Sequence, residues 1–349
     1  MTTTARTDRL PTVSVVVPCY NYGRFLPAAV RSALDQSGVE VDVLVVDDAS
    51  TDDSAEVAAA LAAADPRISV LVHETNAGHI QTYNDGLARA KGEYVALLSA
   101  DDLLTPDSLS RSVALMEQHP EVGLTYGPVE TFEDQPPPLA PARATWTVWE
   151  GEEWLRRVCR RGRNTIVNPE ALMRTSVLRR IGGYDPAHPH AADLNLWLRA
   201  ATIAGIGRVN GPVQACYREH GGNMHRTRFA GALTDLRESR RVFDEVLDDL
   251  AAEGRQVEAD LRATARAALA REALLVATRA QADGDPEDSA GELLAVAAEC
   301  WPPVTGSARW RACRRRQRSG LRPGESRLLL AVDDVRWRVR WRRWRRWGT

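Results

Sequence analysis

Between residues 12 and 102, apolar runs alternate with helical segments three times over, and two of the runs lead to paired aspartates. Thr12–Pro18 is β-branched and stopped by Pro18. Val39–Val46 is a second run and ends on Asp47-Asp48, and Ile68–Val72 is a third. A fourth begins at Gly92 and runs through Leu98 toward Asp101-Asp102. Short apolar runs rich in β-branched and aromatic residues and bounded by turn residues read as buried strands. Between them, Phe25–Leu34, Ala55–Ala64 and His79–Ala90 have helical spacing, with Pro27 in a first turn, where proline is tolerated. Strand–helix alternation implies right-handed crossovers and a parallel sheet covered by helices. The expected fold class is therefore α/β, with a Rossmann-like, mostly parallel sheet flanked by helices.

In such sheets ligands bind at the carboxyl ends of the strands, and both aspartate pairs lie there. Adjacent carboxylates repel one another unless a cation sits between them. Hard oxygen ligands suit Mg²⁺ or Mn²⁺, and a phosphate is the usual companion of such an ion. The competing reading is an acidic pair that turns the chain and caps the next helix. One pair fits a cap well. Two pairs converging on one sheet edge weigh toward a ligand site.

Further along, residues 105–119 read as a helix, Val122–Tyr126 as a strand and Phe132–Pro141 as a Pro-rich loop. Trp149–Arg161 is a candidate amphipathic helix, followed by short elements at Thr165–Val167 and Ala171–Arg174 and a helix at Ser176–Ile181. Asp193 stands at the start of a helix over Leu194–Gly205, where the helix dipole favours a carboxylate. Ile206–Tyr217 holds one or two strands ahead of a loop over Arg218–Asn223. His188 and His190 have the composition of a metal pair, but Pro189 between them and the absence of a third ligand argue against it. Trp197 reads as core or as a wall of a site.

At 349 residues the chain has room for two domains or one domain with an appendage. The expected layout is a disordered segment 1–11, an α/β domain 12–227, a helical appendage 228–300 rich in Ala, Leu, Arg and acids, and a basic segment 301–349 that reads as irregular over 301–327. The five cysteines form no metal-spaced pair. With no apolar run of membrane-spanning length and no apolar core behind Met1–Arg6, neither a transmembrane span nor a secretory signal is expected. A cytoplasmic setting is the expectation.

The net charge of −2 conceals an asymmetry: residues 301–349 carry fifteen arginines against Glu325, Asp333 and Asp334. Within it Trp337, Trp341, Trp344 and Trp347 fall on one helical stripe, with arginines over the remainder. That pattern fits a helix lying on an anionic membrane surface through residues 336–347, which would place the protein peripherally on the inner face of the cell membrane. Nucleic acid would satisfy the same charges less specifically.

Six segments occur in a telling order: Ser14–Asn21, Val45–Asp52, Gly92–Asp102, Gly182-Gly183-Tyr184-Asp185, Leu196–Arg199 and Tyr217–His220. Together they resemble family 2 glycosyltransferases of the GT-A fold, over roughly residues 12–225. The resemblance implies inverting transfer of a sugar from a nucleotide-diphosphate donor, a UDP- or dTDP-sugar, to an acceptor hydroxyl. By motif, Pro18, Tyr20 and Asp48, with Asp47 as the structural alternative, would hold the base and ribose. Asp101 and Asp102 would match the metal motif, with Asp102 the direct ligand of Mn²⁺ or Mg²⁺ on the diphosphate. Asp193 would be the general base, and His220 would lie where a late loop closes over the diphosphate. Two positions depart from the pattern: Ser99, where the family often has Asp, and Ala192, where it often has Glu. The alternative is a catalytically degenerate nucleotide-binding scaffold that uses the helical region and basic tail for interactions.

Overall fold

The computed structural model describes residues 9–223, 231–254, 260–283, 287–319 and Val335. The segments 1–8 and 336–347, including the Trp/Arg stripe, lie outside the described residues. In chain order the elements are β1 (Thr12–Cys19), α1 (Leu26–Leu34), β2 (Glu40–Asp47), α2 (Ser54–Ala64), β3 (Ile68–Val72), α3 (His79–Leu87), β4 (Tyr94–Leu97) and β5 (Leu103–Leu104). Then come α4 (Ser108–Gln118), β6 (Val122–Tyr126), β7 (Val129–Phe132), β8 (Thr145–Trp149), α5 (Gly151–Arg161), β9 (Leu172–Arg174), α6 (Thr175–Ile181), α7 (Ala192–Ile203), β10 (Gly205–Asn210) and β11 (Ala215–Arg218). Four helices follow: α8 (Ala232–Ala252), α9 (Asp260–Asp283), α10 (Glu287–Cys300) and α11 (Ala308–Ser319). A 3₁₀ turn, Pro302–Gly306, precedes α11.

Packing sorts these elements into two units that alternate along the chain. The first is drawn from the spans Met1–Trp149, Ile166–Pro186 and Ile203–His220, the second from Glu150–Thr165, Ala187–Thr202 and Gly221–Thr349. Helices α5 and α7 thus belong with the C-terminal helices.

The first unit is built on a mixed sheet in the order β3-β2-β1-β4-β9-β6-β10-β8. β1 pairs parallel with both β2 and β4, and β2 pairs parallel with β3. β9 runs antiparallel between β4 and β6, and β8 is antiparallel to β10. Fully buried Val13, Val15, Val16 and Val17 make β1 apolar on both faces, as a central parallel strand must be. Helix α1 covers one face with Leu26, Ala29, Val30 and Ala33, a three-and-four spacing that puts all four on one side. A smaller sheet, β5-β11-β7, pairs β11 antiparallel to β5 and parallel to β7.

The second unit is helical. α5 buries Trp154, Leu155, Val158 and Cys159 and packs on α9. At its end Gly162 has φ +68°, and a Cβ there would fall 2.8 Å from Ala268 Cβ, so glycine meets both the backbone and the packing requirement. One expectation is corrected here: the basic stretch after 301 is not irregular throughout, because Ala308–Ser319 forms α11. That stretch has no Pro or Gly and is rich in Arg, a good helix former. Its fully buried Cys313 docks on α9, with the thiol 3.4 Å from Thr278 Oγ1.

Helix α3 lies so close to the sheet that a Cβ on Gly86 would fall 2.3 Å from Val16 Cγ1 and 3.0 Å from Val46 Cγ2. Gly→Ala inside a helix ordinarily stabilises by about 1 kcal/mol, whereas overpacking a rigid β-branched core costs about 1–3 kcal/mol. The second effect wins, so Gly86→Ala should lower the urea midpoint, by about 1 kcal/mol in stability. An unchanged or raised midpoint would show that α3 has room to shift.

Candidate active site

The loops that follow β1 and β2 are tied together. Asn21, at φ +59°, accepts on Oδ1 from the backbone N–H of Thr51 at 2.7 Å and of Asp52 at 3.3 Å. The Asn21 N–H donates to Ser50 Oγ at 2.9 Å, and that hydroxyl donates in turn to Asp47 Oδ2 at 2.6 Å. Asp47 also accepts from the Ser50 N–H at 2.9 Å, so its carboxylate closes its own turn. Pro18 sits in β1 opposite Val46, and Tyr20 is exposed at the tip of the first loop.

Asp48 is buried and well satisfied. Its Oδ1 meets His73 Nδ1 at 2.9 Å and accepts from the Ala77 N–H at 2.7 Å, and its Oδ2 accepts from the Gly78 N–H at 3.0 Å. Burial pushes the carboxyl up, but the bonds from His73, Ala77, Gly78 and Thr82 outweigh it and hold Asp48 below the usual carboxylate range.

Asp101 and Asp102 have a different environment. They lie a few residues beyond the end of β4, in a turn closed by the Asp102 N–H donating to the Ser99 carbonyl at 3.0 Å. Both are nearly out of solvent, at 5% and 1% exposure. From β11, the Arg218 N–H donates to Asp102 Oδ1 at 2.8 Å, and Arg218 Nε donates to the Asp101 carbonyl at 3.0 Å. The Arg218 guanidinium also reaches the carbonyls of Glu133 at 2.9 Å and Asp134 at 3.0 Å. It stacks over Phe25 at 4.6 Å and Phe132 at 4.3 Å. His220 Nε2 meets Asp101 Oδ2 at 3.0 Å, and its ring packs on Tyr22 and Phe25.

The electrostatics follow from that burial. Asp101 is pushed up by burial, with His220 partly offsetting it. Asp102 is pushed up much further, first by burial and then by the charge of Asp101, with Glu170 adding to the effect against the Arg218 N–H. Tyr22 is pushed up to about 12 by burial and by the same two carboxylates. Asp102 Oδ2 is buried with no hydrogen-bond partner among the described residues. Two aspartate pairs that look alike in the sequence therefore differ: one is spent on turns, the other retains an unsatisfied oxygen beside a second acid.

That pair fits a divalent cation by donor chemistry. Among the described residues no group of three or more His, Cys, Asp or Glu is arranged to hold a metal. Mg²⁺-type sites are commonly made by one or two carboxylates plus substrate phosphates and waters rather than by an all-protein cage, so two carboxylates are a sufficient protein share.

Asp193 lies in the second unit, in the first turn of α7. The helix starts at Ala192, and the Asn195 N–H bonds the Ala191 carbonyl at 3.0 Å. The sequence reading gave no role to two site residues. Arg218 was visible only as part of a motif, since its bonds to the aspartate pair cross more than a hundred residues. Glu170, 4% exposed, arrives with the Asn168-Pro169 turn, where Asn168 has φ +99° and its Oδ1 is buried without a partner among the described residues. An Asn-Pro turn followed by an acid was the available signal.

Asp48→Ala would strand the N–H groups of Ala77 and Gly78, at a cost of about 2 kcal/mol at pH 7. Because the folded-state value is depressed, the carboxylate's contribution is full above the unfolded value of about 3.9 and is lost as pH falls through the lower folded value. Urea unfolding of both proteins should show the gap between them narrowing from pH 7 to pH 3. A gap that does not change with pH would show that the ionised carboxylate adds nothing.

The fold and the acidic edge define a class: an α/β sheet of the GT-A type with a carboxylate pair beyond a central strand. Solved structures match on the fold at low identity. S. aureus TarS 1-349 in complex with UDP-GlcNAc superposes with TM-score 0.54 at 18% identity, covering 86% of this chain and 92% of that one. The mannosyltransferase PcManGT from Pyrobaculum calidifontis, in complex with GDP-Man and Mn²⁺, gives TM-score 0.51 at 20% identity, over 89% of this chain and 85% of that one. An uncharacterized glycosyltransferase of Nostoc sp. is 29% identical over 227 residues, 61% of this chain and 66% of that protein. Two shorter matches span 31% and 30% of their relatives' lengths. Residues 14–182 match the family model for glycosyl transferase family 2.

Proposed function

We propose that this chain transfers a sugar from a nucleotide-diphosphate donor, a UDP- or dTDP-sugar, to an acceptor hydroxyl with inversion at the anomeric carbon. The observation that carries the reading is the Asp101–Asp102 pair, buried at the ligand-binding edge of the sheet with Asp102 Oδ2 unsatisfied. The nucleotide-sugars named with TarS and PcManGT, and the Mn²⁺ named with the latter, support the donor class.

Donor base and ribose lie against Pro18, Tyr20 and the turns that Asp47 and Asp48 hold. Asp102, with Asp101 beside it, would hold Mn²⁺ or Mg²⁺, which when bound neutralises the charge that develops on a leaving diphosphate. His220, fixed by Asp101, faces the same diphosphate. Asp193 takes the proton of the acceptor hydroxyl as its oxygen bonds to the anomeric carbon and the bond to the diphosphate breaks. Attack from the side opposite the leaving group inverts the centre, so one base suffices.

Calorimetric titration with UDP, dTDP and GDP, with and without Mn²⁺, should show one nucleotide preferred and binding strengthened by the metal. Asp102→Asn should lose the metal-dependent part. Asp193→Asn should keep nucleotide binding and lose turnover by about 10²–10⁴-fold, the usual share of a general base. Full turnover in that variant would remove Asp193 from the chemistry. The second reading, a degenerate nucleotide-binding scaffold, draws on Ser99 and Ala192, neutral where the family often has acids; nucleotide binding without turnover of any donor would decide for it.

The Trp/Arg stripe over 336–347 is assigned to an anionic membrane surface, where each arginine contributes about 1 kcal/mol. Deleting 336–349 should leave turnover in solution unchanged and abolish co-sedimentation with vesicles containing anionic lipid. Co-sedimentation that survives the deletion would place the contact elsewhere.

A further inference from the structure

The two histidines that resemble a metal pair in the sequence are used otherwise. The segment 187–191 leads directly into α7, and it is pinned to α8 at two points of the second unit. His188, with no solvent exposure, pairs through Nε2 with Glu245 Oε2. His190, with its side chain 7% exposed, pairs through Nε2 with Asp235 Oδ1. Glu245 is itself braced by Arg241 at 3.7 Å, one turn back on α8. Pro189 lies between the two histidines and fixes the backbone there.

Beyond the pinned segment the chain has little freedom. α7 begins at Ala192, its first helical bond returns to the Ala191 carbonyl, and Leu194, Leu196, Trp197 and Leu198 are buried. Asp193 is three residues past His190. A carboxylate in a first helical turn takes its direction from the path of the chain entering the helix, and that path is set by the two histidine–carboxylate pairs. Glu245 and Asp235 are themselves half-exposed or more, at 49% and 65%. Each pair joins a buried imidazole to a carboxylate on α8, and so fixes where the segment runs. A general base misplaced by about 1 Å loses rate steeply.

We infer that α8 positions the candidate base: Glu245 and Asp235, through His188 and His190, hold the segment ahead of α7 so that Asp193 presents its carboxylate to the acceptor. The inference rests on the reading of Asp193 as general base, and it gives the helical region a part in turnover.

The test uses the full chain with the double substitution Asp235→Ala/Glu245→Ala, and Glu245→Gln as the conservative variant. The readouts are the Mn²⁺-dependent release of nucleoside diphosphate from UDP-glucose, UDP-GlcNAc, dTDP-glucose and GDP-mannose with water as acceptor, the nucleotide dissociation constant, and backbone hydrogen exchange over 187–195. The double variant should lose at least tenfold in kcat, bind nucleotide within twofold of the parent and exchange faster over 187–195. Glu245→Gln, which keeps an acceptor for His188, should recover most of kcat. Parent-like kcat or parent-like exchange in the double variant, with Asp193→Asn inactive, would overturn the positioning role alone. Full turnover in Asp193→Asn would instead overturn the base assignment and this inference with it.

Discussion

Two acidic side chains side by side and nearly out of water are the constraint on which the first unit depends. Asp101 and Asp102 would each ionise more easily apart or wet, and the protein holds them together by surrounding them with fixed partners. Arg218 does most of this. Its backbone N–H holds one carboxylate oxygen, its guanidinium grips the Asp101 carbonyl and the carbonyls of Glu133 and Asp134, and Phe25 and Phe132 sandwich it. The end of β4, the loop after β1, the end of β7 and the strand β11 therefore converge on one pair of like charges. Paired in that way, the burial of charge is tolerated, and the remaining unsatisfied oxygen is a stored demand for positive charge.

The contrast with Asp47 and Asp48 shows how little the residue pair itself decides. Those two sit at the end of β2, parallel to β4 with β1 between, yet they accept from Ser50, Ala77, Gly78 and His73 and leave little unsatisfied. Their work is to shape two turns. The acids beyond β4 leave Asp102 Oδ2 without a partner among the described residues, and so retain capacity for something from outside.

The alternation of β1 through β4 with their helices was legible because β1 and β2 are eight residues long and carry apolar runs, β4 lies inside the longer apolar run Gly92–Leu98, and α1 shows its apolar spacing. β5, β7 and β9 were not legible as strands, because two to four residues carry no period and are strands only by virtue of their neighbours. β8 was missed for a related reason: Thr145–Trp149 abuts a helix and pairs antiparallel with β10, far along the chain. The acidic pair was legible by its place at a strand's end. Arg218 was not, since its role is defined by atoms 116 residues away. α11 was masked by a composition of Arg and Trp that reads as solvated, while the buried Cys313 that packs it on α9 is unremarkable in sequence.

One reversed strand decides what faces the acids beyond β4. β9 runs against its neighbours, with Arg174 opposite Tyr94 and Met173 opposite Val95, so the chain enters it from the edge where β4 delivers its acids. Whatever precedes β9 is thereby presented at that edge, and here it is the turn bearing Asn168 and Glu170. The sheet asks only three residues of this insertion and leaves its length and sequence unconstrained. The approach to β9 can therefore change wholesale, altering what faces the acidic pair, while Asp101, Asp102 and the strands beside them stay untouched.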